Sequence, residues 1–241
     1  MQENNSIKDE TFDYYKELEK NDKIKVVTYE DEFNYSKINN YGAQSADGEY
    51  LLLLNNDTEV ISPEWMEELL MYGQRKDVAV VGAKLYYEDD TIQHAGIVIG
   101  LGSDRAAGHT HYGVDRENVG YMGRLYYAQA VSAVTGACML VRKSIYDELG
   151  GLDEEFTVAF NDVDFCLKAR EKGYLNIFTP YCEMYHYESK SRGFEDTRSK
   201  KKRFKREVQL FREKWKNVIE DGDPYYNPNF SLDRSDFYIP E

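Results

Sequence analysis

The chain has 241 residues, with 30 Lys and Arg against 44 Asp and Glu, a net charge of −14. At 41% hydrophobic and 31% charged residues it is a globular α/β candidate, long enough for a sizeable core. Such acidity argues against nucleic acid or an anionic membrane as the default partner, since both need clustered Lys and Arg; one basic block, residues 198–206, stands alone.

Residues 10–20 read as an amphipathic helix, with Phe12, Tyr15 and Leu18 at helical spacing, and 23–29 as a short β-branched strand. Residues 36–46 predict a helix ended by Asp47-Gly48. The run Tyr50-Leu51-Leu52-Leu53-Leu54 is apolar on both faces, as in a central parallel strand covered by helices. It stops abruptly in Asn55-Asn56-Asp57-Thr58. Ser62-Pro63-Glu64 starts a helix, and Trp65, Leu69 and Leu70 are expected to face the core. Residues 78–83 form a second fully apolar strand, so the alternation predicts a parallel sheet with right-handed crossovers. Beyond residue 85 the pattern changes. Residues 97–101 read as a strand, 102–124 as a polar, mobile loop, and 126–134 and 137–142 as strands around Thr135-Gly136. A short helix over 143–149 ends at Gly150-Gly151. Residues 161–172 predict a helix with Val163, Cys166, Leu167 and Arg170 on one face, and 199–219 a long charged helix before an aromatic tail. No internal repeat or linker interrupts this order, so one domain is expected. Its apolar runs fall far short of the roughly 20 residues of a membrane helix, and its start, MQENNSIKDE, lacks the apolar core of a secretory signal. Cys138, Cys166 and Cys182 have no C-x-x-C spacing and are expected as buried free thiols in a reducing, cytoplasmic compartment.

Three groups of residues could carry chemistry. Asn55-Asn56-Asp57 falls just beyond the carboxyl end of a strand, where open α/β sheets bind ligands. A carboxylate there can hold a hard divalent cation; the same residues also read as a turn that satisfies its own backbone. Asn161-Asp162-Val163-Asp164 opens a helix. A cap with first-turn acids explains it structurally, whereas a general base taking a proton from a hydroxyl is the functional reading. Among the histidines, His109-Thr110-His111 lacks the further ligands of a zinc site, so a solvated loop is expected. His186, between Tyr185 and Tyr187, reads either as a packed residue or as a ligand.

Asn34-Tyr35-Ser36-Lys37-Ile38-Asn39-Asn40, Gly48-Glu49-Tyr50 running into Asn55-Asn56-Asp57, and Pro63-Glu64-Trp65 resemble the middle of a family 2 glycosyltransferase with the GT-A fold. The likeness continues through His94-Ala95-Gly96, Ala133-Val134-Thr135-Gly136-Ala137-Cys138, Gly150-Gly151-Leu152-Asp153-Glu154 and Phe160-Asn161-Asp162-Val163-Asp164-Phe165-Cys166-Leu167. It ends with His186-Tyr187-Glu188-Ser189, Ser191-Arg192-Gly193 and Asp223-Pro224-Tyr225-Tyr226-Asn227-Pro228, covering nearly the whole chain. In particular the chain is similar to bacterial enzymes that build O-antigen and other rhamnose-rich surface polysaccharides.

The resemblance implies an α/β fold with a GT-A-like, Rossmann-like sheet, mixed and mostly parallel, flanked by helices. Residues 1–195 would be the glycosyltransferase domain, and 196–241 a C-terminal helix and aromatic tail packed on it. Asp57 and His186 would bind Mn²⁺ or Mg²⁺, with Asn55 a neutral residue at the first acidic position of the D-x-D motif. Glu3, Lys37, Asn55 and Asn56 would contact the nucleotide sugar, and Lys37 and Arg192 would add local positive charge. Asp162 would be the catalytic base, and Thr135, Gly136, Asn161 and Asp164 would line the acceptor side. The implied activity is an inverting, metal-dependent transfer from a UDP- or dTDP-sugar to a saccharide or lipid-linked acceptor. Its setting would be the cytoplasm, with peripheral association at the inner face of the membrane, where block 198–206 would dock. A homodimer is a further expectation, and nucleic acid is not a partner.

The family begins with a strand, a Pro-containing turn and a helix, followed by a second strand running into an acidic turn. Glu3-Asn4-Asn5-Ser6 resembles that acidic turn, so the first βαβ unit, about 60–80 residues, is expected to be absent. A truncated chain, a fragment completed by a partner or second copy, and a degenerate protein all stay open. The competing class is a non-catalytic module that binds the acceptor or a partner chain. A sugar-nucleotide pyrophosphorylase is disfavoured, because no Gly-rich loop with Lys or Arg stands at the start.

Overall fold

The structure is a computed structural model that describes residues 1–187 and 197–240. In chain order the first elements are β1 (Gln2–Glu3), α1 (Asp9–Leu18), β2 (Val27–Thr28), α2 (Tyr35–Gln44), β3 (Tyr50–Leu54), β4 (Thr58–Val60), α3 (Trp65–Gly73) and β5 (Val78–Tyr86). Next come β6 (Ile92–His94), β7 (Ile97–Ile99), β8 (Ala107–His109), a 3₁₀ segment at Tyr121–Tyr126, β9 (Gln129–Val131) and β10 (Cys138–Arg142). The chain closes with α4 (Lys143–Glu148), α5 (Asn161–Glu171), β11 (Leu175–His186), α6 (Arg198–Lys214) and α7 (Lys216–Asp221).

Every residue of β5 is buried, so the strand must be covered on both faces. The main sheet runs β3-β10-β5-β11-β4, with β6 beside β5 and β9 beside β11. One face packs on α3 through Leu69, Val81 and Leu85. The other packs on α5 and α6 through Val80, Val163, Phe165 and Phe211. Gly82 permits that second layer, because a Cβ there would meet the Val134 side chain at 2.4 Å. The mixed α/β sheet with flanking helices is as expected, but its pairings are mostly antiparallel rather than mostly parallel. β3 and β5 run the same way without pairing, since β10 lies antiparallel between them. β10 is apolar and buried along four of its five residues, which suits it to that central place. Within this sheet only β5 and β11 pair in parallel.

Other expectations need correction. Leu70 is 37% exposed, because α3 turns its neighbour Leu69 to the sheet instead. α1 buries none of its residues, and Phe12 is 39% exposed. The stretch 126–134 is a 3₁₀ end plus the short β9 rather than one strand. Residues 102–124 are not a free polar loop. β8 pairs with β7, Thr110 Oγ1 donates to Ala95 O at 2.7 Å, and His111 is buried against Phe237 at 4.9 Å between ring centroids. His109 Nδ1 lies 3.0 Å from Nδ1 of fully buried His94. The expected solvated loop is therefore packed: half-buried His109 lies against His94, and the C-terminal tail covers His111. All three cysteines are free and buried. Among the described residues no helix is long and apolar enough to cross a membrane.

Burial pushes the His111 imidazole down to about 4. Its unfolded value is about 6.5, so the native state binds fewer protons, and its contribution is complete above that pH. The contribution is lost as pH falls through the folded value, at a cost of roughly 3 kcal/mol. Calorimetry between pH 7 and 4 is expected to show a steeper acid loss of Tm for the native chain than for His111→Gln. Parallel slopes would refute the assignment.

Candidate active site

The apolar run of β3 carries the chain to the sheet's edge, and Asn55 N still donates to Ala137 O at 2.9 Å. Thr58 Oγ1 donates to Asn55 O at 2.8 Å and closes the turn, after which β4 pairs Thr58 with His186 at the end of β11. That register sets Asp57 Oδ1 3.2 Å from His186 Nε2. His186 Nδ1 is 2.6 Å from Gln93 Oε1. An amide oxygen only accepts, so this contact puts a proton on Nδ1 and turns Nε2 toward Asp57. Asn55 Nδ2 lies 3.2 Å from the same Nε2.

These donors fit a divalent cation. Cis ligands on an octahedral ion at about 2.1 Å are about 3 Å apart, close to the separation of Asp57 and His186. A carboxylate with a neutral imidazole suits an ion of intermediate hardness better than a purely oxygen-seeking one. Among the described residues no third His, Cys, Asp or Glu completes a cluster.

Asp162, in the first turn of α5, is held by the neighbouring strand entry. Its Oδ2 accepts from Gly136 N and its Oδ1 from Val163 N, both at 2.8 Å. Tyr35 OH donates to Gly136 O at 2.8 Å. Burial first, and the Asp162 charge second, push the Tyr35 hydroxyl above its usual value, so it stays a proton donor. A Cβ on Gly136 would come 3.0 Å from Tyr35 OH and 3.5 Å from Asp162 Cβ. Thr135 Oγ1 accepts from Ala137 N at 3.3 Å. Consecutive residues Gly136 and Ala137 thus bond to Asp162 and Asn55 respectively, joining the two acidic constellations.

The loop before Asp162 hangs on one carboxylate. Glu207 of α6 is 1% exposed and accepts from Thr157 N at 2.7 Å, Thr157 Oγ1 at 2.6 Å, Val158 N at 3.0 Å and Ala159 N at 3.2 Å. Asn161 and Asp164, expected on the acceptor side, serve the same scaffold. Asn161 is buried and donates through Nδ2 to Val158 O at 2.9 Å. Asp164 is fully buried, accepts from Trp215 Nε1 at 2.9 Å and pairs with Lys214 at 2.7 Å. Helical periodicity explains the reversal: 161 and 164 share a face turned to the core, while 162 is offset from the centre of that face by about 130°.

Glu3 is buried on β1, where Oε1 accepts from Ser6 N at 2.8 Å, and its carbonyl accepts from Tyr29 N. Lys37 is exposed and lines a shallow cleft of about 230 Å³ that Tyr29 also borders. Asn56 is exposed at the 55–57 turn. Glu188, Ser189 and Ser191-Arg192-Gly193 lie outside the described residues. Gln93, Tyr35 and Glu207 were not anticipated. Gln93 adjoins the His94-Ala95-Gly96 motif, which could have drawn notice, whereas nothing local marks an acid inside a basic helix.

Residues 3–207 match the family model described as Glycosyltransferase like family 2. The chain is 46% identical over 239 residues to the uncharacterized protein y4gI of Sinorhizobium fredii, spanning 98% of this chain and 26% of that protein. It is 35% identical over 234 residues to the O-antigen biosynthesis protein RfbC of Myxococcus xanthus, spanning 97% of this chain and 18% of that one. The chain therefore covers about a quarter or less of the length of these curated relatives. Among solved structures, GalNAc-T7 with UDP, GalNAc and Mn²⁺ superposes with a TM-score of 0.65 at 15% identity, over 91% of this chain and 42% of the other. That likeness is one of fold, and the neighbour is a GT-A glycosyltransferase.

Glu207→Ala would leave four loop donors without their acceptor. It is expected to cost about 3 kcal/mol or more in urea unfolding, and Glu207→Gln, which keeps one acceptor oxygen, distinctly less. Equal stability of the alanine variant and the native chain would contradict the scaffold role.

Proposed function

The chain belongs to glycosyltransferase family 2, and from that premise we propose that it moves a sugar from a nucleotide-sugar donor to an acceptor hydroxyl. The acceptor is a saccharide or a lipid-linked saccharide in cell-surface polysaccharide synthesis, a reading supported by its similarity to an O-antigen biosynthesis protein. The observation that carries the proposal is the junction at Gly136-Ala137. It brings Asp162 beside the turn that presents Asp57 to His186.

Asp57 and His186 would hold a divalent cation, Mn²⁺ being the ion in the solved neighbour. A cation held there supplies positive charge against the departing diphosphate. Asn55 keeps its amide on the same imidazole, and Gln93 holds the ring with Nε2 turned toward Asp57. Glu3 and Lys37, which flank Tyr29, would contact the nucleotide. Asp162, fixed by two backbone N–H groups, retains lone pairs for the proton of the acceptor hydroxyl. The acceptor oxygen bonds to the anomeric carbon as the bond from that carbon to the diphosphate oxygen breaks. This single displacement inverts the anomeric configuration. Thr135 and Gly136 line the acceptor side, and residues 196–241 are read as a segment packed on the transferase domain through Glu207 and Trp215.

Asp162→Asn keeps one acceptor oxygen for one of the two backbone N–H groups and cannot take a proton. Transfer from the donor is expected to fall about 10²-fold or more, with a native circular dichroism spectrum and a loss of stability of only about 1–3 kcal/mol. Turnover equal to the native chain would sink the assignment. Calorimetric titration with UDP and Mn²⁺ is expected to show binding that His186→Ala weakens about tenfold or more. No binding by the native chain at millimolar ligand would favour a non-catalytic module.

A further inference from the structure

Nine residues, 198–206, carry seven of the chain's 30 Lys and Arg. The remainder has 23 cations against 44 acids and a net charge of −21, so the positive charge is strongly segregated. α6 sorts these residues by face. Glu207 and Phe211 point inward. At about 100° per residue, Arg198, Lys201, Lys202, Lys205 and Arg206 fall within an arc of about 140° turned away from them. All five are exposed, and none makes an ion pair among the described residues.

The helix gains nothing from this arrangement. Arg198 with Lys202, Lys201 with Lys205, and Lys202 with Arg206 are like-charged neighbours at i, i+4 spacing, which is repulsive. Arg198, Lys200 and Lys201 also stand at the helix N-terminus, the positive end of its dipole. An external anionic surface would relieve both effects. The block's one aromatic, Phe204, stacks inward on Phe160 at 5.9 Å, so no exposed ring interleaves the cations as in single-strand nucleic-acid sites.

We propose that this stripe of α6 docks the protein on an anionic lipid surface. The inference rests on the transfer reading for its purpose, since a lipid-linked acceptor would be presented there. Placement supports it. The inner face of α6 holds loop 157–159 ahead of Asp162 through Glu207, so a docked surface lies one helix diameter, about 10 Å, from that loop.

The test is co-sedimentation of the full chain with phosphatidylglycerol vesicles and, separately, with phosphatidylcholine vesicles, without donor or metal. More than about tenfold preference for phosphatidylglycerol is expected, together with release as salt rises. The combined variant Lys201→Glu, Lys202→Glu, Lys205→Glu is expected to lose more than about tenfold in binding with an unchanged circular dichroism spectrum. Should that variant unfold, Lys201→Gln, Lys202→Gln, Lys205→Gln is expected to bind at an intermediate level. No binding by the native chain, equal binding to both lipids, or undiminished binding by a folded variant each overturns the proposal. So does displacement from vesicles by equal charge of RNA, which would assign the stripe to a soluble polyanion. Asp162→Asn should sediment like the native chain. Vesicle binding with no transfer by the native chain would defeat the transfer reading and leave the docking surface standing.

Discussion

Buried backbone groups must find partners, and the nine buried residues of β5 find theirs in β10 and β6 on one side and β11 on the other. The parallel pairing with β11 has the larger consequences. β11 is twelve residues long and continues past an irregularity in register between Phe178 and Glu183, which lets it reach His186. There it accepts β4 as a partner, while β3 is held by β10. The turn from Leu54 to Thr58 must therefore close between two strands fixed by different neighbours. Asp57 has little freedom about where it points. A slip of one residue in β4 would reverse the faces of that strand and separate Asp57 from His186.

A second constraint comes from buried charge. Glu207 and Asp164 are carboxylates removed from water, and each persists because donors surround it. Glu207 collects the backbone of 157–159, and Asp164 collects Lys214 and Trp215. Between them they tie α6 to both sides of the turn that starts α5. Asp162 sits within this clamp, turned the other way and bonded to Gly136. The base candidate owes its position to acids that are not themselves reactive.

α6 consequently serves two environments. Its inner face carries an acid that the core neutralises by hydrogen bonding, and its outer face carries cations that nothing in the described structure neutralises. An acidic chain that concentrates positive charge on one exposed helical face is asymmetric, and that asymmetry gives a direction in which it can be oriented at a charged surface.

Much of the site was legible in the residues themselves. An apolar strand ending in Asn55-Asn56-Asp57 and a helix opening at Asn161-Asp162 are local patterns, and both stand at the expected kind of position, whereas the place of His186 as the last residue of β11 was not read from the sequence. Asn161 and Asp164 misled because type and spacing alone cannot say which face of α5 meets the core. Residues 102–124 misled because their polarity suggested solvent, whereas β7 and the C-terminal tail cover Thr110 and His111. The sequence by itself determined most of the helices and the apolar strands, since these depend on contacts a few residues apart. It did not determine the caps: α3 is capped at Glu64 rather than Ser62, and α5 at Phe160 rather than Asn161. Only the tertiary structure decided that β10 parts β3 from β5, that Asp57 meets His186, and that Glu207 holds the loop of Asp162. Those outcomes depend on competition among distant segments for the same buried surface and the same unsatisfied donors, which no local pattern encodes.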